Sequence, residues 1–160
     1  EWALGVFYKF SFVTMSMSDN GMPYSVPLSL VRADDTTFFF HCATDGRKLD
    51  VLRSNPVVCL SAVAKCKPVV GPKDGSFTLE YMSAIAYGVA EVIDDDELKI
   101  KALRLICERF LPQHIDAFDE AVQRSLSRTA VVRITLTEPP VGKRKQYDRN
   151  GDELKYGRME

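Results

Sequence analysis

The chain has 160 residues, a formal net charge of -1, 46% apolar residues and 27% charged ones, a balance that suits one globular domain with a buried core. Near-neutral charge excludes electrostatic capture of nucleic acid or of an anionic membrane surface, both of which need a clear basic excess. Any anion site must be local, built from a few placed cations.

The apolar opening from Trp2 to Met17 is interrupted by Lys9 and mixed with Ser and Thr. It makes a poor membrane span and shows no signal-peptide pattern. The segment from Phe7 to Ser18 ends in a β-rich stretch, and Asp19-Asn20-Gly21 follows as a tight hairpin signal. A second strand is expected from Tyr24 to Val31. Pro27 within it lacks a ladder donor, so it marks an edge, a bulge or an opening where backbone groups can meet a ligand.

Asp34-Asp35 reads as a turn, Thr36 to Cys42 as a strand, and Gly46 to Ser54 as a short helix with Leu49 and Leu52 inward. Asn55-Pro56 stops that helix, because the residue before a proline disfavours helical geometry. This stretch carries the most chemistry. An aromatic strand ends in His41, breaks at Thr44-Asp45-Gly46 and reopens with Arg47 and Lys48 in the first helical turn. A helix start offers unpaired N–H groups and partial positive charge, and two cations there complete a site for a phosphate. Asp45 reads as the helix cap and Asp50 as a solvated residue.

Val57 to Ala64 is nearly continuously apolar and is expected to be buried on both sides. Lys65 to Gly75, with two prolines and two glycines, reads as a loop. Phe77 to Ile93 is a long alternating strand, interrupted by Gly88 at a bend or a close approach of backbone. Asp94 and Glu97 form a capping box that opens an amphipathic helix through Phe110. Leu111-Pro112 breaks it, and a second helical stretch places Ile115, Phe118, Val122 and Leu126 on one face. Thr129 to Thr137 is the last strand. Residues 140–160, after Pro139, read as a polar extension. This order predicts a small antiparallel barrel of five or six strands with helices at its side.

Cys42, Cys59, Cys66 and Cys107 show no CxxC spacing, which points to free thiols in a reducing, cytoplasmic compartment. His41, Cys42 and Cys66 lack a zinc spacing, so no metal site is expected. Lys143-Arg144-Lys145 is either a solvated tail or a contact to a phosphate or a partner subunit. His114 reads as a surface or packing residue, and Tyr81 and Tyr87 as barrel packing.

Several pieces in order carry a resemblance: Asn20-Gly21-Met22-Pro23-Tyr24-Ser25-Val26-Pro27-Leu28, Phe40-His41-Cys42-Ala43 with Gly46-Arg47-Lys48, Leu52-Arg53-Ser54-Asn55-Pro56-Val57-Val58-Cys59, Tyr81-Met82-Ser83-Ala84-Ile85-Ala86-Tyr87-Gly88 and Val141-Gly142-Lys143. They resemble the FMN-binding split-barrel proteins of the pyridoxamine 5′-phosphate oxidase-like superfamily, most of all its nitroimidazole-resistance (NimA-like) branch. The resemblance implies one domain over residues 1–160, mainly β (α+β by content): a six-stranded antiparallel split barrel of Greek-key type with flanking helices.

It further implies FMN held between the subunits of a homodimer. The backbone of Ser25, Val26, Pro27 and Leu28 would border the isoalloxazine ring, Arg47 and Lys48 would hold the phosphate, and Ser83 would reach the flavin from the partner chain. His41 and Cys42 would lie beside the cofactor, His41 as the candidate catalytic group. The implied activity is reduction of a small planar acceptor, nitroaromatic or quinone. The alternative is a non-catalytic flavin- or haem-binding protein on the same scaffold. The basic and aromatic C-terminal pattern by which pyridoxamine-phosphate oxidases hold substrate is missing, so their own reaction is not expected.

Overall fold

The computed structural model describes residues 1–9, 12–70, 75, 77–147, 150 and 152–153. Expectations placed on residues 71–74, and on most of the extension beyond residue 147, lie outside these. The chain opens with a helix, α1 (Trp2–Tyr8), that buries Ala3, Leu4, Val6 and Phe7. The Phe7–Ser18 segment therefore starts in a helix, and its β-rich end is strand from Val13. Apolar residues at 3, 4 and 7 fall on one helical face, whereas alternation begins with Val13, Met15 and Met17.

Strands β1 (Val13–Asp19) and β2 (Met22–Leu28) form the expected hairpin. Its turn residues Asn20 and Gly21 have φ of 51° and 87°, as the mirror-image hairpin turns require. There follow β3 (Val31–Arg32), β4 (Thr37–Ala43), α2 (Arg47–Ser54), β5 (Val57–Val70), β6 (Phe77–Ile93), α3 (Asp96–Phe110), a 3-10 turn (Pro112–Ala117), α4 (Phe118–Ser125), β7 (Thr129–Leu136) and β8 (Val141–Lys145). Among the described residues, no helix is long and apolar enough to cross a membrane.

Every strand pairing is antiparallel, in the order β2-β1-β5-β6-β7-β4-β3, with β8 also on β6. The fold is mainly β, of the split-barrel type with flanking helices. Eight strands rather than six make up the sheet among the described residues, and its ends β2 and β3 do not pair to close it. The two additions are β3, only two residues long, and β8, where three of five residues are cationic. β8 forms because β7 covers β6 only from Gly88 to Ile93, leaving the edge at Tyr81–Ile85 open.

Other boundaries also differ. β5 continues to Val70, so Lys65–Val70 is strand rather than loop. β1 pairs with β5 only at Cys59–Ser61, so Pro68 lies where β5 is an edge strand, the setting in which a sheet tolerates proline. Nor is β5 buried on both sides. Val58, Leu60, Ala62 and Ala64 are inside, while Val57 and Val63 are 57% and 56% exposed. The cap of α3 is Asp95, which accepts from the Leu98 N–H at 2.7 Å, one residue later than the expected box. Gly46, not Asp45, precedes α2, and no side chain caps that helix.

Strand alternation sorts the interior into two layers. Met15, Phe38, Phe40, Leu60, Val132 and Ile134 line the inner face of the sheet, covered by α1 and by Leu49, Val51 and Leu52 of α2. Phe39, Ile93 and Val131 face the other way and pack under Leu103, Ile106, Phe118 and Val122 of α3 and α4. His41, two residues after Phe39, shares that helix-covered side.

Gly88 sits where β6 passes between β5 and β7. A Cβ there would lie 2.8 Å from the Thr135 carbonyl oxygen and 2.9 Å from Ile134 Cγ2. Backbone cannot swing aside as a side chain can, so Gly88→Ala is expected to lower stability by about 1–3 kcal/mol. The midpoint of urea unfolding measures this; an unchanged midpoint would contradict the close approach.

Candidate functional site

The site begins where β4 ends. Gly46, at φ 127°, turns the chain from β4 into α2, a conformation that a residue with a Cβ rarely adopts. No side chain caps the new helix; the Leu49 and Asp50 N–H groups donate to the Gly46 carbonyl at 2.9 and 3.2 Å, so the N–H groups a helix start leaves without an intrahelical partner are those of Arg47 and Lys48. The two cations reach different strands. The Arg47 guanidinium lies 4.5 Å from the centroid of the Tyr24 ring on β2. Its Nη2 and Nε donate to Asp19 Oδ2 at 3.0 and 3.2 Å. The Lys48 ammonium lies 5.1 Å from the Phe40 ring on β4.

Lys48 is also the charged neighbour common to His41 and Cys42. Burial, reinforced by Lys48, holds the His41 imidazole below the ordinary histidine range. Burial pushes the Cys42 thiol up, against the opposing pull of Lys48 and Arg53. His41 is an exposed residue by its surface, yet it stands in a concavity whose walls displace water. At neutral pH its ring is therefore mostly uncharged, a hydrogen-bonding group rather than a cation.

That concavity is a cavity of about 690 Å³ between the sheet and the helix pair. Phe12, Ser29 and His41 line one side, and Leu103, Ile106 and Phe118 the other. Its helical wall is tied in place by cations. Arg109 donates to the Leu30 carbonyl at 2.6 Å and the Tyr8 carbonyl at 3.0 Å, joining the end of α3 to α1 and to the β2–β3 link. Arg104 lies 4.4 Å from the Phe118 ring centroid and pairs with Asp119 at 2.6 Å, joining α3 to α4.

Ser25 to Leu28 lie on β2, the end of the sheet path. Of the three meanings offered for Pro27, the structure takes the edge, since its register with Thr14 is unbroken. Ser25 and Pro27 are exposed, Val26 is half-buried and Leu28 buried, and the Ser25 hydroxyl donates to Ser16 Oγ at 2.8 Å. Ser83 is not gathered with these residues. It stands mid-way along β6, opposite Val63 of β5 and Lys143 of β8. Next to Lys143, Arg144 is only 5% exposed, so the basic run is a strand and not a solvated tail.

Asp19 and Tyr24, the partners of Arg47, carry no such role in the sequence reading. Twenty-eight residues separate Asp19 from Arg47, and no spacing rule joins them. Among the described residues, no three His, Cys, Asp or Glu side chains gather as a metal site, and all four cysteines are free thiols.

Comparison with known proteins places the fold. The family model described as pyridoxamine 5′-phosphate oxidase matches residues 10–142. No curated protein matches the chain. Among solved structures, a Bacteroides thetaiotaomicron protein described as a candidate for 5-nitroimidazole antibiotic resistance is 22% identical, with 88% of this chain and 81% of that one covered and a TM-score of 0.72. An FAD- and haem-binding protein from Mycobacterium smegmatis is 21% identical over 87% of this chain and 67% of its own, with a TM-score of 0.72. The flavocytochrome Anf3 from Azotobacter vinelandii is 17% identical over 99% and 78%, again with a TM-score of 0.72. At these identities the likeness is one of fold.

The electrostatics at His41 are directly measurable. An NMR titration of its ring is expected to give a midpoint below the ordinary value of about 6.5. Lys48→Gln should raise that midpoint without restoring it fully, because burial is the larger of the two causes. A midpoint at or above the ordinary value in the unaltered protein would refute the enclosed setting.

Proposed function

The chain belongs to the pyridoxamine 5′-phosphate oxidase family, and from that premise we propose that it is an FMN-binding flavoprotein, a homodimer that reduces a small planar acceptor of the nitroaromatic or quinone type in the manner of the NimA-like branch. The observation that carries this reading is the uncapped start of α2, with Arg47 and Lys48 in its first turn. Backbone donors and two cations suit a phosphate monoester, and β2 lies within reach of Arg47, as the stacking on Tyr24 demonstrates.

In this reading Arg47 and Lys48 hold the phosphate, while the exposed backbone edge of Ser25 to Leu28 borders the ring. Cys42, half-buried beside Lys48, adds packing. FMN, when bound, supplies the two-electron chemistry, and the protein supplies position and electrostatics. The apolar cavity takes the flat body of the acceptor, and His41 hydrogen-bonds its polar end. A depressed pKa suits that positioning task better than proton delivery at neutral pH. The free thiols fit a reducing, cytoplasmic setting.

The outward face of β5 and β6 supports the dimer. Val57 faces Val89, Cys59 faces Tyr87, Ser61 faces Ile85 and Val63 faces Ser83 across the two strands. Val63, Ile85 and Tyr87 are 56%, 40% and 46% exposed. A contiguous apolar face of this kind marks an interface. Ser83 stands within it, where a residue could meet a cofactor of the other subunit.

A second reading has its own observation. A neutral imidazole on the wall of an apolar cavity of about 690 Å³ also suits an axial ligand to haem iron, making the protein a haem-binding or storage protein without turnover.

The absorption spectrum of the purified protein separates the two. The first reading expects oxidised-flavin bands that bleach with NAD(P)H and return on adding a nitroaromatic or quinone. A Soret band without flavin would replace it by the second. Arg47→Ala with Lys48→Ala is expected to weaken FMN binding by at least about tenfold, since each charge-assisted contact contributes about 1.5–3 kcal/mol. Unchanged affinity would remove the phosphate assignment. Ile85→Lys should convert the dimer to monomer in light scattering, and a variant that stayed dimeric would move the interface elsewhere.

A further inference from the structure

A second concavity lies away from α2, at the irregularity in β5. The β5–β6 register steps from Ala64↔Met82 to Lys67↔Glu80, so Lys65 and Cys66 share the place opposite Tyr81. This is a β-bulge, a device that bends a strand and re-aims its side chains. Lys65 takes φ of 50° to make it, in the left-handed region that a side-chain-bearing residue enters at some energetic cost. The result is a cavity of about 300 Å³ lined by Lys65, Cys66, Lys67, Glu80, Tyr81 and, from β8, Lys145, among others. Its volume lies at the lower end of the range for small-molecule sites.

Three lysines, of which Lys65 and Lys67 are exposed, and one glutamate are among its lining residues. Lys145 Nζ is held in place by the Thr78 hydroxyl oxygen at 2.5 Å. The Glu80 carboxylate is engaged too, accepting from the Tyr147 backbone N–H at 3.0 Å. Neither Lys65 nor Lys67 has an ion-pair partner among the described residues. Ammonium groups gathered around one hollow repel each other, and an anion of about two charges relieves that repulsion. A phosphate monoester carries about -1.5 to -2 charges at neutral pH and three acceptor oxygens, which suits three ammonium donors. Tyr81 and Met82 add an aromatic and an apolar surface for whatever bears the phosphate.

We propose that this bulge cavity is a second anion site, binding the phosphate of a small phosphorylated ligand through Lys65, Lys67 and Lys145. None of its lining residues belongs to α2 or to β1–β4; Tyr81 and Met82 adjoin Ser83 on β6, but the site needs neither Arg47 nor Lys48, so it survives failure of the phosphate assignment at α2. Lys145 gives one of the three β8 cations a role: the strand completes the sheet edge and brings that lysine to the cavity.

Inorganic phosphate serves as the probe, titrated into the full chain while backbone amide resonances are followed by NMR. Saturable shifts are expected at Lys65, Cys66, Lys67 and Tyr81, weakening as sodium chloride is raised. In Lys65→Ala with Lys145→Ala the apparent affinity read at Tyr81 should fall at least about tenfold, and Lys65→Arg with Lys145→Arg should retain it. Arg47→Ala with Lys48→Ala should leave these shifts in place. The proposal is overturned if wild-type shifts are absent or confined to α2, or if the alanine and arginine pairs bind alike.

Discussion

β6 is the constraint on which the rest depends. Over 17 residues it holds β5 along one edge, and β7 and then β8 along the other. One strand with three partners must alternate strictly, because a slip of one residue would send its core set to solvent. Met82, Ala84, Ala86 and Ala90 keep to the inside. Three of these four are alanines, and small inward residues leave room for Trp2, Phe7 and the rest of α1 to lie against the sheet. Gly88 meets the tightest demand, where the Thr135 backbone comes too near for any side chain.

The same alternation distributes function. Residues that β6 turns outward join those of β5 in an apolar face. On β4, alternation sends Phe40 and Cys42 to the layer that α2 covers, and Phe39 and His41 to the layer under α3 and α4. His41 thereby enters an apolar cavity, yet stays near enough to Lys48 to feel its charge. Pairing the helix start that bears Lys48 with the strand that bears His41 links the phosphate candidate to the acceptor candidate across one short turn.

Much of this was legible in the residues. The Asn20-Gly21 turn, the long alternating strand with its glycine, the α2 boundary at Asn55-Pro56 and the apolar faces of α3 and α4 each rest on local chemistry, and each is found. The misses share a cause: they depend on partners distant in sequence. β8 looks polar and becomes a strand only because β6 offers it an open edge. Lys65–Val70 looks like a loop because of Pro68, which is harmless where β5 lacks a neighbour on its other side. The Val57–Ala64 run is apolar on both faces for two different reasons, one the core and one the exposed face. Tertiary context, not propensity, decides such segments. For the site, the cations of α2 were visible from spacing alone. The carboxylate that holds Arg47 was not.

That carboxylate changes what the α2 start is. With Asp19 against its guanidinium and Tyr24 beneath it, Arg47 is already oriented before any ligand arrives, and its charge is already answered. In the proposed reading, a phosphate at the α2 start would have to share or displace Asp19 as the partner of this guanidinium.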